Sequence, residues 1–70
     1  MTNEFPKRLQ RLREQEKRSR KILSELCGLP SDAVRRYERE ESRPTMEALI
    51  KLADHFEVSL DYLVGRVNYR

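Results

Sequence analysis

The 70-residue chain has no Trp, one Cys, one His and two Gly, and these shortages remove several kinds of chemistry at once. Cys27 has no partner for an internal disulfide. With His55 as the only imidazole, ligands are too few for a zinc or iron–sulfur site. No uncharged stretch approaches the roughly 20 apolar residues of a membrane-spanning helix, so neither a membrane segment nor a signal segment is expected, and the chain reads as cytoplasmic. An enzyme finds no inventory here, because a second His, a thiol partner and a Gly-rich phosphate loop are all missing. No cofactor, metal or small-molecule ligand is expected. At this length a chain makes one domain and buries only about 60% of the surface it exposes when unfolded. With 37% hydrophobic residues, the core must be lean.

Charge is plentiful and unevenly placed. Lys and Arg number 15 against 12 Asp and Glu, a net charge of +3. The excess lies in residues 1–22, where Lys7, Arg8, Arg11, Arg13, Lys17, Arg18, Arg20 and Lys21 face only Glu4, Glu14 and Glu16, and the remainder is slightly acidic. A basic end on a near-neutral body suits a polyanion partner. A charged surface that merely keeps a small helical protein soluble accounts equally well for composition alone.

Apolar spacing is helical throughout, Gly occurs only at 28 and 65, and no run alternates with period two, so the fold class is all-α. Pro6 suits a first helical position, and Leu9 and Leu12 stripe a first helix that runs to about Gln15. Ser19 caps a second helix over about residues 19–27, whose Ile22, Leu23, Leu26 and Cys27 are expected on one inward face before Gly28 ends it. Pro30 can open a helix but not continue one, so a third is expected from about Ser31 to Glu38, with Ala33, Val34 and Tyr37 inward. Thr45 caps a fourth helix carrying Met46, Leu49, Ile50, Ala53 and Phe56. Ser59 caps a last turn or two carrying Leu60, Leu63 and Val64, with Gly65 as its stop. Five short helices in a compact bundle result, as a domain over residues 5–65 with a short C-terminal tail at 66–70.

Two short helices joined by Gly28-Leu29-Pro30 make a helix-turn-helix corner, in itself a weak signal. The string from Arg8 to Gly65 is more specific. Leu9, Leu12, Arg13, Ser19, Leu23, Gly28, Val34, Arg36, Tyr37 and Glu38, then Pro44-Thr45, LIKLAD at 49–54 and VSLDYLVG at 58–65, resemble the lambda repressor and Cro-like helix-turn-helix family, without a gap. That resemblance implies a bacterial or phage transcriptional regulator, of repressor type, that binds a double-stranded DNA operator, with the third helix in the major groove and the second across the phosphates. On that geometry Ser31, Asp32, Arg35 and Arg36 face base edges, whereas Lys17, Arg18, Arg20, Lys21, Arg39 and Arg43 face the DNA backbone. A homodimer, at least on DNA, follows from the few base pairs one helix reads, with the region from Leu60 to Tyr69 as its surface.

The chain departs from the family at four places. Lys17-Arg18 stands where many relatives have Gly-Leu, so the first turn is tighter or the first helix longer. Arg20 replaces a common Gln and grips phosphate more strongly but less directionally. Pro30 replaces a capping Ser or Thr, which passes that role to Ser31. Glu40 replaces a Gly, and if it keeps a positive φ it costs about 1 kcal/mol that Gly would not.

Plainer readings stand beside these. Cys27 and Tyr37 fit core positions, His55 fits a surface site favoured by the end of the fourth helix, and Glu38 fits an ion pair with Arg13. Exposed arginines are often only solvated. The alternative function is a protein-interaction adaptor or antitoxin-like subunit on the same fold, which an exposed apolar patch at Leu60, Leu63 and Val67 would favour. Double-stranded RNA fits less well, because its major groove is too narrow for a helix.

Overall fold

The computed structural model describes residues 4–70, which form α1 (Phe5–Gln15), α2 (Arg20–Leu26), α3 (Ala33–Glu38), α4 (Met46–Phe56) and α5 (Leu60–Leu63), with no strand among them. Three helix starts share one device. Ser19 accepts a hydrogen bond from the Ile22 amide, Thr45 from that of Ala48 and Ser59 from that of Tyr62, each satisfying an amide that the helix itself leaves unpaired. Gly28 and Gly65 end α2 and α5 at φ +71° and +88°. A Cβ at Gly65 would also collide with the Glu4 side chain.

The core joins all five elements. Leu9, Leu23, Val34, Leu52 and Leu63, one from each helix, have no solvent exposure, and Phe5, Tyr37 and Tyr62 pack around them. The Phe5 and Tyr37 rings meet at 5.9 Å between centroids. Removing one such Leu side chain would cost about 2 to 5 kcal/mol, a large part of what so small a domain can hold.

Two inward faces differ from the expected ones. On α2, Leu23, Ser24 and Cys27 are buried, whereas Ile22 and Leu26 are exposed by 45% and 54%. On α4, Ala48, Leu52 and Ala53 face the core with Leu49 and Phe56 partly covered, and Met46 and Ile50 stand in solvent. In both helices the expected and observed stripes have the same period and differ by a rotation about the axis. Periodicity leaves that rotation open; packing against α3 for α2, and against α5 for α4, sets it.

The third helix begins at Ala33 rather than Ser31. The Ala33 amide bonds the Pro30 carbonyl at 2.9 Å, so Ser31 and Asp32 lie in the turn, and Ser31 does not take the capping role. Asp32 precedes the helix and makes no side-chain cap either. The turn between α1 and α2 is made by Lys17 at φ 58°, so α1 is not lengthened and Lys17 adopts the left-handed conformation itself. Glu40 does the same at φ 59°.

Residues 66–70 lie against the domain. The Arg8 guanidinium donates to the carbonyls of Tyr62 (3.0 Å) and Val67 (2.9 Å) and to Asn68 Oδ1 (2.8 Å), and lies 4.3 Å above the Tyr62 ring. The Ser59 amide bonds the Arg70 carbonyl at 3.2 Å. His55 is half-buried, 2.8 Å from Glu16 Oε1 and edge-on to Phe56, and so links the end of α4 to the α1–α2 turn.

Candidate nucleic-acid interface

The α2–α3 corner is held at both ends of α3. At the amino end the fully buried Ser24 hydroxyl donates to the Arg20 carbonyl at 2.8 Å and accepts from the Val34 amide at 3.0 Å. At the carboxyl end Arg13 holds Glu38 through Nε–Oε2 at 2.7 Å and Nη2–Oε1 at 3.2 Å, and its Nη1 reaches the Arg18 carbonyl at 2.8 Å. These side chains are only 15% and 6% exposed, so a forked, charge-assisted pair is weakly screened and strongly directional. The Glu38–Arg13 pairing expected from the sequence is therefore present, and it joins α3 to α1 and to the turn before α2.

Held this way, α3 buries Ala33, Val34 and Tyr37 and turns its other face outward. Ser31 and Arg36 are exposed there, and Asp32 and Arg35 half-buried. Asp32 Oδ2 lies 3.9 Å from both Arg35 Nη2 and Arg36 Nη1. Glu41 closes the group from the other side, with Oε1 3.8 Å from Arg35 Nη1 and Oε2 3.1 Å from Arg39 Nε. The left-handed turn at Glu40 brings Glu41 back, where its amide bonds the Arg36 carbonyl at 2.8 Å. The structure thus brings Asp32, Arg35, Arg36 and Arg39 together, with Glu41, as one group in which two carboxylates face three guanidinium groups and a positive excess remains. Burial, opposed by the Arg36 charge, holds the Tyr37 hydroxyl above its ordinary pKa, so it stays neutral beneath the face.

The second group flanks it. Lys17, Arg18, Arg20 and Lys21 are all exposed around the amino end of α2. Arg18 pairs with Glu16 at 3.1 Å, whereas Lys17, Arg20 and Lys21 have no ion pair among the described residues. Arg43 stands apart in the loop before α4, at a recess it shares with Pro6, Tyr37 and Pro44. Two bases of the amino-terminal excess face inward instead, since Arg8 binds the C-terminal segment and Arg13 binds Glu38.

Sequence reasoning missed Ser24, Arg8 and Glu41. The signal for Ser24 was a small polar residue beside Leu23 on the inward stripe, but its partner lies ten residues on. Arg8 carried no signal, since its partners are some 54 to 60 residues away. The apolar patch at Leu60, Leu63 and Val67 that would have favoured a protein-interaction adaptor is not exposed as such, because Leu63 is fully buried and Val67 packs on the core.

An all-helical domain with a hydrogen-bonded two-helix corner and a polar, arginine-rich third helix is the architecture of a helix-turn-helix protein. The family model for helix-turn-helix domains matches residues 9–63, and the chain belongs to that family, of the lambda repressor and Cro-like kind. Its members are DNA-binding transcription regulators rather than enzymes. The chain is 38% identical over 60 residues to the cryptic phage CTXphi transcriptional repressor RstR of Vibrio cholerae, covering 81% of this chain and 54% of that protein. It is 37% identical over 59 residues to the transcriptional regulator AnsR of Bacillus subtilis, covering 84% and 51%. The chain thus spans about half the length of the curated relatives it matches. Among solved structures, the P22 c2 repressor in complex with a synthetic operator superposes with a TM-score of 0.81 at 28% identity, over 90% of this chain and 96% of that one. A transcriptional regulator from Listeria innocua superposes at 0.86 with 33% identity, over 96% and 63%.

Proposed function

We propose that this chain is the sequence-specific, double-stranded DNA-binding domain of a transcriptional repressor acting in the cytoplasm. In this reading α3 enters the major groove with Ser31, Asp32, Arg35 and Arg36 toward base edges, and α2 lies across the backbone with Lys17, Arg18, Arg20 and Lys21 on phosphates. Arg39 and Arg43 flank the groove on the far side of α3. The observation that carries it is the two-faced α3. One side is locked into the core and the other presents a dense polar group that packing does not require, in a fold superposable on a repressor solved with its operator. Base readout fits these side chains, since Arg can bond guanine through two parallel hydrogen bonds and Asp can accept from cytosine.

Selection of bound duplexes from a random-sequence DNA pool tests the reading. The expected result is enrichment of one palindromic sequence, its halves about 34 Å apart, bound by two copies of the chain. A folded protein that enriches no sequence would overturn it in favour of a protein-binding role.

A further inference from the structure

The cap of α3 comes from outside its own sequence neighbourhood. Asp32 and Ser31 give no side-chain cap to this helix, and Pro30 has no amide to contribute. The Val34 amide, in the first helical turn and fully buried, is satisfied only by Ser24 Oγ at 3.0 Å, from the middle of α2. The same hydroxyl donates backward to the Arg20 carbonyl at 2.8 Å. That second bond fixes the hydroxyl hydrogen on the α2 side, which leaves a lone pair aimed at Val34. One atom therefore ties the backbone of Arg20, at the start of α2, to the first turn of α3, directly after the turn from which Ser31 and Asp32 project.

We propose that Ser24 is a positioning residue for base readout, whose hydroxyl sets the register of α3 against α2. This rests on the DNA-binding reading above and goes beyond it, because Ser24 is buried and touches no DNA. An aliphatic residue at position 24 can fill the space but cannot hold the amide. The Val34 amide would then be buried without an acceptor, and α3 would relieve that by shifting or fraying at its amino end. Phosphate contacts made from flexible arginines tolerate such a shift. Bidentate contacts to base edges do not, since their geometry allows only small displacements.

The test compares the wild type with Ser24→Ala and with Ser24→Cys, which nearly keeps the volume but offers a poor acceptor. The probes are the duplex enriched by the wild type and a random-sequence duplex pool of the same length, at a temperature where each variant is fully folded. Affinity for the enriched duplex should fall about five- to tenfold, with random DNA and the salt slope unchanged. Discrimination should weaken at the base pairs facing the amino end of α3, with Ser24→Cys intermediate. In the free protein, amide exchange at Val34 should accelerate selectively. Equal losses on both DNAs, or an unchanged ratio between them, would assign Ser24 to packing alone, as would unaltered protection of Val34. A wild type that enriches no duplex would instead overturn the DNA reading, and this role with it.

Discussion

At the scale of single residues, Arg36 and Arg20 are where the proposed base-reading and phosphate contacts can be told apart. Arg36 lies one turn beyond Asp32, exposed, with its nearest anion 3.9 Å away, and is long enough for a bidentate contact to guanine. Replacing it with Ala should cost about 1 to 3 kcal/mol on the enriched sequence and little on unrelated DNA. Arg20→Ala or Arg39→Ala should weaken both DNAs alike and flatten the log–log salt dependence by about 0.9 per lost contact, less for Arg39 because Glu41 already neutralises part of its charge. Fluorescence titrations across a salt series give both numbers. Equal weakening by Arg36→Ala on both DNAs, with a shallower slope, would place Arg36 on the backbone. Glu40, held at φ 59°, makes a second residue-scale prediction. Glu40→Gly should raise stability to urea by about 0.5 to 1 kcal/mol, as relief of left-handed strain outweighs the added freedom of the unfolded chain. A lower midpoint for the variant would contradict this.

At the scale of elements, α2 meets its neighbours through Leu23, Ser24 and Cys27, so the chemistry of Cys27 reports on its packing. Burial first, and the nearby Glu16 carboxylate second, raise the thiol above its ordinary value of 9.0. In the unfolded chain the thiol ionises at that ordinary value, whereas in the folded protein it remains neutral until a higher pH. The stability contribution is therefore complete below the unfolded pKa and is lost as pH rises through the folded one. Melting temperatures of the wild type should fall more steeply than those of Cys27→Ala between about pH 8 and 10, although the variant is less stable at neutral pH through loss of packing. Parallel curves would mean that Cys27 is not desolvated. The same elements show how far local patterns reach. The caps at Ser19, Thr45 and Ser59 and the stops at Gly28 and Gly65 were legible, because each is settled within about four residues. The start of α3 was not, because its cap comes from another helix.

At the scale of the whole molecule, the described residues measure 28 × 23 × 20 Å. Two copies reading half-sites about 34 Å apart would therefore meet only through side chains at their edges. The apolar surface available at the C-terminal end is small, since Tyr62 and Leu63 are buried and mainly Leu60 and Tyr69 remain outside. Sedimentation should find a monomer in free solution and two copies on the palindromic duplex. One copy per duplex at saturation would exclude the paired arrangement.

The amino-acid sequence by itself determined the helical class, the helix-turn-helix corner and the outward arginines of α3, since these depend on local periodicity, capping and the residue types a helix face displays. Only the tertiary structure decided which of two equally periodic stripes on α2 and α4 turns inward, because the neighbouring helices choose the rotation. It alone drew Arg8 from the basic end onto the C-terminal segment, set Glu41 against Arg35 and Arg39, and placed Ser24 between two helices. Each of those contacts joins groups far apart along the chain or across a turn, and their partnership exists only once the hydrophobic core has brought them within hydrogen-bonding or ion-pairing distance.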